Sequence, residues 1–254
     1  MSTGGSEPAN RDIPRAQDQL FAPGQSARAK YAALVVGKAD FGSLLLYELV
    51  VLLTQWVPGA LGLVLRKTAY PWLLGACGRN VVFGQNVVLR HPHKIRLGDN
   101  VVIDDHCLLD AKGDGNTGIV IGSGVFVGRN TIVSCKNGDV EIGDGANIGF
   151  NCEVFSASRV RIGPRVLVAA YTYFVGGDHD APDRGLAVME QSRRSAGIDV
   201  GEGAWIGSGV TVLDGVTIGE RAVVGAGAVV RDSVPAGATA VGIPARIVRR
   251  AEPA

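Results

Sequence analysis

The sequence predicts an all-β chain wound as a three-sided parallel β-helix, and two observations predict it. First, one short phrase recurs, a branched or large apolar residue, any residue, another apolar residue, then glycine: Ile95-Arg96-Leu97-Gly98, Ile119-Val120-Ile121-Gly122, Val140-Glu141-Ile142-Gly143, Val160-Arg161-Ile162-Gly163, Ile198-Asp199-Val200-Gly201 and Val216-Thr217-Ile218-Gly219. Second, apolar residues six apart link the phrases, as in Ile121, Val127 and Val133, or Val200, Ile206 and Val212. A period of six fits neither a helix at about 3.6 residues per turn nor a simple two-faced strand. It fits a solenoid in which each flat side uses about six residues and sends one apolar residue into a shared core, so a coil takes about eighteen. Residues 79–235 hold roughly six to seven such coils.

Departures from the spacing mark the places where the chain leaves the repeat. The interval is 24 residues from Leu97 to Ile121, 21 from Ile121 to Ile142, 20 from Ile142 to Ile162 and 18 from Val200 to Ile218. From Ile162 to Val200 it is 38, so some 20 residues depart after Phe174 and return near Ile198. A long excursion from a rigid repeat is commonly functional. This one carries Gly176-Gly177-Asp178-His179-Asp180 and Asp183, with the one histidine of the C-terminal half of the chain. Chemistry is expected there.

Composition bounds the class. The 254 residues suit one elongated domain with an N-terminal extension, or two small domains. A formal net charge of +1 gives no overall attraction to nucleic acid. The 36 glycines fall at coil corners rather than in low-complexity runs. Cys77, Cys107, Cys135 and Cys152 form no CxxC pair, and Cys135 and Cys152 sit inside repeats as small buried hydrophobes. Free thiols without a secretory leader point to a reducing, cytoplasmic location.

In order along the chain, residues 1–40 form a segment expected to be disordered, its first thirty residues polar with no apolar h-region. Residues 41–78 form an apolar helical extension, with Phe41, Leu44, Leu45, Leu46, Leu49, Val50, Val51, Leu52 and Leu53, then Trp56 and Val57. Glu48, Thr54, Gln55 and the central Pro58-Gly59 favour two short helices over one span. Three readings stand: helices packed on the solenoid or a neighbouring subunit, a hairpin in the membrane interface over 41–65 with Trp56, Tyr70 and Trp72 at headgroup depth, or a span. The solenoid starts near Val81-Val82-Phe83-Gly84. His91-Pro92-His93 reads as a surface turn rather than a metal pair, and His106 as a corner residue. Lys112-Gly113-Asp114-Gly115-Asn116 reads as a turn whose charges are solvated unless a subunit covers them. Residues 236–254 form a tail through Gly242-Ile243-Pro244-Ala245-Arg246 to Arg249-Arg250.

The hexads, the looped-out histidine, Val200-Gly201-Glu202-Gly203-Ala204-Trp205-Ile206-Gly207, Gly225-Ala226-Gly227 and the closing Gly242-Ile243-Pro244-Ala245-Arg246 resemble the hexapeptide-repeat acyltransferases, among them maltose and galactoside O-acetyltransferases. The similarity covers roughly residues 80–250. It implies a left-handed winding, a homotrimer with active sites between adjacent solenoids, and acetyl-CoA lying along the cleft. It implies His179 as general base and Asn151, in Phe150-Asn151-Cys152, as a residue holding the acceptor, a sugar or glycan precursor. No metal is implied. Two features depart from the sugar acetyltransferases, the N-terminal 78 residues and Gly-Gly-Asp-His-Asp in place of the more usual His-Pro-x-Asp; both bear on the acceptor.

The chemistry suits these residues. A thioester is already activated, so the enzyme has mainly to deprotonate and align the attacking hydroxyl or amine. An imidazole with an ordinary pKa near 6.5 is matched to that task, and is worth on the order of 10²–10⁴ in rate. Its second nitrogen needs an acceptor, for which Asp178, Asp180 and Glu190 are the local options. Trp205 could wall the pantetheine channel or belong to a subunit interface. Ala226 and Gly227 permit close approach of the pantetheine to the backbone, and Arg246, Arg249 and Arg250 are the candidates for the phosphates. The alternatives are a catalytically idle scaffold and a metal-dependent hydratase. Against the hydratase, His91, His93 and His106 all lie far N-terminal of His179.

Overall fold

A computed structural model of the chain describes residues 21, 23–179, 185–191 and 193–250, with backbone alone at Asp178, His179, Met189, Arg193 and Arg194. The architecture is a solenoid of parallel strands with three flat faces and a short helical extension at its N-terminal end. The first face stacks seven strands, from Ala76–Cys77 through Ile95–Leu97, Ile119–Ile121, Asp139–Ile142, Arg159–Ile162 and Ile198–Val200 to Thr217–Ile218. The second runs from Val82–Phe83 to Thr239–Val241 and is closed by Arg246–Arg249, its one antiparallel neighbour. The third stacks seven, from Val88–Arg90 to Val229–Val230.

Register follows the hexads. On the first face Val140 pairs with Ile119 and Val160, and Ile142 with Ile121 and Ile162. Equivalent apolar residues therefore stack directly, and the inward set Ile103, Val127, Ile148, Val168 and Ile206 is fully buried. Burying each such side chain stabilises by about 1.5–3 kcal/mol. Left-handed backbone at the corners falls on glycine and, among the other residue types, most often on asparagine, at Asn80, Asn100, Asn130 and Asn151 among others. Asparagine tolerates that conformation better than other side chains.

Three boundaries differ from the sequence reading. The solenoid has about eight coils rather than six to seven. Its first coil begins at Ala76 because Ala76–Cys77 pairs with Arg96–Leu97, and the supposed tail adds another, Thr239–Val241 pairing with Val223–Val224. Residues 27–36, placed in the disordered segment, are helical: α1 spans Ala27–Tyr31, capped by Ser26 Oγ, and runs into a π-helical turn at Ala32–Val36. His91-Pro92-His93 is not a surface turn. His91 is buried beneath that segment, its amide donating to Val35 O at 2.7 Å and its Nε2 lying 3.0 Å from Ala33 O. The reason is Gly37, with φ of +73°, where an added Cβ would lie 2.3 Å from His91 Cδ2 and 2.7 Å from His93 Cε1. Only glycine lets the chain close over both imidazoles.

The extension continues as α2, Phe41–Thr54, and α3, Gly59–Ala69, broken at Pro58 as the sequence indicates. A helix C-terminus leaves carbonyls without intrahelical donors. Here Arg66, buried on α3, supplies them: Nη1 donates to Thr54 O at 2.9 Å and Val57 O at 2.7 Å, while Nε donates to Phe83 O at 3.0 Å in the first coil. The Tyr47 hydroxyl donates to Leu89 O at 2.9 Å and that of Tyr70 to Val87 O at 3.0 Å. Burial pushes the Tyr47 phenol up to about 12. One face of the pair is thus fastened to the first coil. The other face stays exposed, with Leu45, Leu49, Leu52, Leu53, Trp56 and Leu61 open to solvent. Among the described residues no helix is long and apolar enough to cross a membrane.

Arg66→Leu should lower unfolding stability by roughly 2–4 kcal/mol, because buried carbonyls lose their donor; an unchanged urea midpoint would contradict the clamp. Burial and the nearby Lys38, His91 and Lys94 hold the His93 imidazole below its ordinary value. The unfolded chain then binds the extra proton more readily, so stability is highest above pH about 6.5 and declines as pH falls below it. Urea midpoints measured between pH 5 and 8 should show that decline, flattened in His93→Gln.

Candidate active site

The third face ends in a row whose inward members shrink and then change character: Cys135, Ser156 and Gly176 in successive coils, paired in register, and then Asp214 two residues past Val212. Gly176 is where the excursion departs. A Cβ there would lie 2.5 Å from Phe155 O and 2.6 Å from Val160 Cγ2, so the exit is too tight for a side chain. The outgoing pair Asp178–His179 is antiparallel to the returning pair Arg193–Arg194, with His179 opposite Arg193. This ribbon stands on the corner where the third face turns into the first.

Asp214 fixes the foot of the ribbon. Its Oδ2 accepts from the Ala196 amide at 2.7 Å, and its Oδ1 from the Gly197 amide at 2.9 Å and the Ser195 hydroxyl at 3.3 Å. The Ser195 hydroxyl also lies 3.0 Å from Gly176 O and 2.7 Å from Ser158 Oγ. Outgoing and returning limbs are therefore tied to each other and to the coils on either side. The sequence reading passed over Asp214, Ser195 and Ser158. A legible sign existed, since Asp214 puts a carboxylate where earlier coils hold a small residue.

Of the acceptors considered for the imidazole, Glu190 caps its own 3-10 turn, Oε2 accepting from the Ala187 amide at 3.2 Å. Asp180 lies outside the described residues, and only the backbone of Asp178 is described. Asn151 is placed at the other end of the third face, at the corner before Glu153–Ser156, with φ of +53° and its amide donating to Arg129 O at 2.9 Å. Exposed aromatics flank it: Phe150 meets Tyr171 edge to face, ring centroids 5.9 Å apart, and the Arg129 guanidinium lies 5.2 Å from the Phe150 centroid. The face's own width separates Asn151 from the His179 ribbon within one chain.

The five residues assigned to the acyl donor gather in the final coils. Trp205 is 52 % exposed on the second face, paired with Leu167 and Val223. Ala226 and Gly227 form an open corner between the second and third faces, with nothing within 4 Å of a Cβ built at Gly227. Arg246 and Arg249 are exposed on the closing strand, and Arg246 Nη1 lies 3.3 Å from Asp232 Oδ2. Ala226 and Gly227 occupy the same corner as Asn151, between the second and third faces, whereas Trp205, Arg246 and Arg249 lie on the second face. The cysteines are buried except Cys77, and burial raises the thiol pKa of Cys107 to about 12. Such thiols do not act as nucleophiles at neutral pH. Among the described residues no group of three or more His, Cys, Asp or Glu is placed to hold a metal ion.

Known proteins share this repeat and this fold. The family described as "Bacterial transferase hexapeptide (six repeats)" matches residues 197–232. A probable acetyltransferase of Mycobacterium tuberculosis, Rv3034c, is 31 % identical over 95 residues, 37 % of this chain and 32 % of that protein. The chain thus aligns with about a third of that relative's length. A variant of AntD, an N-acyltransferase from Bacillus cereus, in complex with dTDP and coenzyme A, superposes with a TM-score of 0.52 at 18 % identity, over 79 % of this chain and 92 % of that one. AntD with dTDP and 3-hydroxybutyryl-CoA gives 0.50 at 19 % identity, over 70 % and 84 %. The chain is a hexapeptide-repeat solenoid that resembles the acyltransferases in sequence motif and in fold.

Replacing Asp214 with Asn removes a charge-assisted acceptor from two amides. It should lower stability by about 1–2 kcal/mol and shorten the protease half-life of the 177–194 ribbon more than that of the coils. Equal protection of the ribbon in both proteins would contradict the anchoring role.

Proposed function

We propose that this chain is an acyl-CoA-dependent acyltransferase, with acetyl-CoA the first donor to test, acting on a hydroxyl or amine of a sugar or glycan precursor. The observation that carries the reading is the single long excursion of the hexapeptide solenoid, which bears His179 and is fastened at its foot by Asp214. The relatives support the class: one is named an acetyltransferase, and others are N-acyltransferase structures with coenzyme A or an acyl-CoA bound.

In this reading the His179 imidazole takes the proton of the acceptor hydroxyl or amine as its oxygen or nitrogen attacks the thioester carbonyl. The tetrahedral intermediate collapses, the C–S bond breaks, and the CoA thiolate recovers a proton from the imidazolium. Backbone N–H groups at a rigid coil edge are suited to the oxyanion. Trp205, Ala226, Gly227, Arg246 and Arg249 receive the donor: the open corner admits an extended pantetheine, and exposed arginines suit its phosphates. Asn151 holds the acceptor.

Within one chain the His179 ribbon follows the third face, whereas Ala226 and Gly227 precede it and Trp205, Arg246 and Arg249 lie on the second face. A complete site therefore needs a second copy, and the proposed assembly is the homotrimer of left-handed solenoids. The outward row of the second face carries exposed Val82, Phe126, Leu167 and Trp205, interrupted by Asn147, and is mostly apolar, as a packing surface between copies would be. The proposed setting is the cytoplasm. The exposed face of α2 and α3 fits peripheral contact with a membrane carrying the glycan precursor.

His179→Ala should reduce thiol release from acetyl-CoA by a factor on the order of 10²–10⁴, with little change in CoA affinity. Undiminished turnover would remove His179 from its role. Failure of the wild type to bind CoA by calorimetry would favour a scaffold instead.

A further inference from the structure

The helix pair turns one side away from the first coil, and that side is apolar along its length. Phe41, Leu45, Leu49, Leu53 and Trp56 follow one another along α2 and just past its end at intervals of three or four residues, so they form one stripe. On α3, Leu61 and Val64 are exposed three residues apart. Leu52, Leu53, Trp56 and Leu61 are 62–66 % exposed. Exposed apolar side chains scattered singly are ordinary, whereas a contiguous set on one side marks a contact surface.

Three occupants can be compared. Residues 1–20 hold only Met1, Ile13 and Leu20 as large apolar side chains, too few to cover the stripe. The proposed assembly of copies meets through the second face and leaves this side open. A bilayer fits the polar chemistry of the patch. Trp56 Nε1 donates to Leu52 O at 2.7 Å, and the Thr68 hydroxyl donates to Leu65 O at 2.9 Å. These polar groups are satisfied by carbonyls of their own helices, as an apolar medium requires.

Charge is the second argument. Residues 27–72 carry five cations and two carboxylates. Both carboxylates are engaged within the segment: Asp40 Oδ1 accepts from the Ser43 amide at 2.8 Å, and Glu48 from the Tyr31 hydroxyl at 2.6 Å. Of the cations, Arg66 is buried and Arg28 lies over the Phe41 ring, 5.9 Å from its centroid. Lys38 and Lys67 are exposed at the edge of the patch. Lys67 lies in the last turn of α3, three residues past Val64 and so on the same side. Lys38 shares a hollow with Leu46 and Trp72, where the turn after α3 meets the start of α2. An apolar stripe edged by tryptophans and lysines is complementary to an anionic bilayer surface, where indoles settle at headgroup depth and ammonium groups meet phosphates.

We propose that α2 and α3 lie flat on an anionic lipid bilayer, with Leu53 and Leu61 in the acyl layer, Trp56 and Trp72 at headgroup depth, and Lys38 and Lys67 against the lipid phosphates. This gives the peripheral contact of the acyltransferase reading its residues and its lipid, while the docking itself rests on the helix pair alone. The docked end is the first coil. The ribbon leaves the third face four coils further on, about 20 Å away at about 4.8 Å per coil, so the bilayer leaves it open.

Flotation of the full chain with vesicles of phosphatidylcholine, alone or mixed with phosphatidylglycerol, tests the docking. The wild type should float with the mixed vesicles, much less with the neutral ones, and be released as salt rises. Lys38→Gln/Lys67→Gln should lose affinity for the mixed vesicles by roughly tenfold or more. Leu53→Gln/Leu61→Gln should lose at least as much, and because both positions are exposed its urea midpoint should match the wild type, which separates lost binding from lost folding. Absence of wild-type flotation with mixed vesicles, equal flotation with neutral ones, or full binding by the leucine variant would overturn the proposal. So would a lipid-free mass that rises with concentration in the wild type but not in the leucine variant, since the patch would then be a contact between copies. Thiol release is read separately: an inactive wild type that still floats leaves the docking standing, and an active one that does not float leaves the acyltransferase reading standing.

Discussion

The structure depends on one constraint, the direct stacking of inward apolar residues in parallel register. Each coil buries its core only against the coils on either side, so no coil is stable alone. Because Ile142 must sit on Ile121 and beneath Ile162, any extra residue has to be expelled at a corner. The repeat therefore sorts its own insertions. The loop at residues 112–116 and the excursion after Gly176 both leave from the corner that ends the third face, where the inward residues are small.

That corner then gathers the features on which the proposed function rests. The two limbs of the ribbon are held at the foot by the Asp214 carboxylate. A rigid face with a tethered ribbon restricts where the His179 backbone can sit, which is what alignment against a second reactant demands. The open corner with Ala226 and Gly227 lies across the face, so a catalytic reading requires that face to meet another copy. Geometry within one chain and the need for a partner are two sides of the same separation.

The helical extension shows how a solenoid end is finished. Exposed inward edges of the first coil would leave unpaired backbone groups and apolar surface. Arg66, Tyr47 and Tyr70 supply donors to carbonyls of the first coil and of α2, and the buried His91 turn lets the preceding segment lie flat over the third face. The result is a cap with one polar-tethered side and one apolar side still facing outward.

Much of this was legible without coordinates. The three-sided coil, the corner glycines, the break at Pro58-Gly59 and the excursion bearing His179 all follow from period and interruption, because each depends on contacts between residues near in sequence or one coil apart. Three things were not legible: helix at residues 27–36, burial of His91, and the clamp around Arg66. They arise where polar side chains meet backbone carbonyls far along the chain, and hydropathy records no such pairing. Asp214 anchoring Ala196 and Gly197 belongs to the same kind. The sequence by itself determined the solenoid and its one large interruption, since stacking enforces a regular period. Only tertiary structure decided which side of α2 and α3 is tethered and which is left open, because Tyr47, Arg66 and Tyr70 meet carbonyls of the first coil only once the chain is wound.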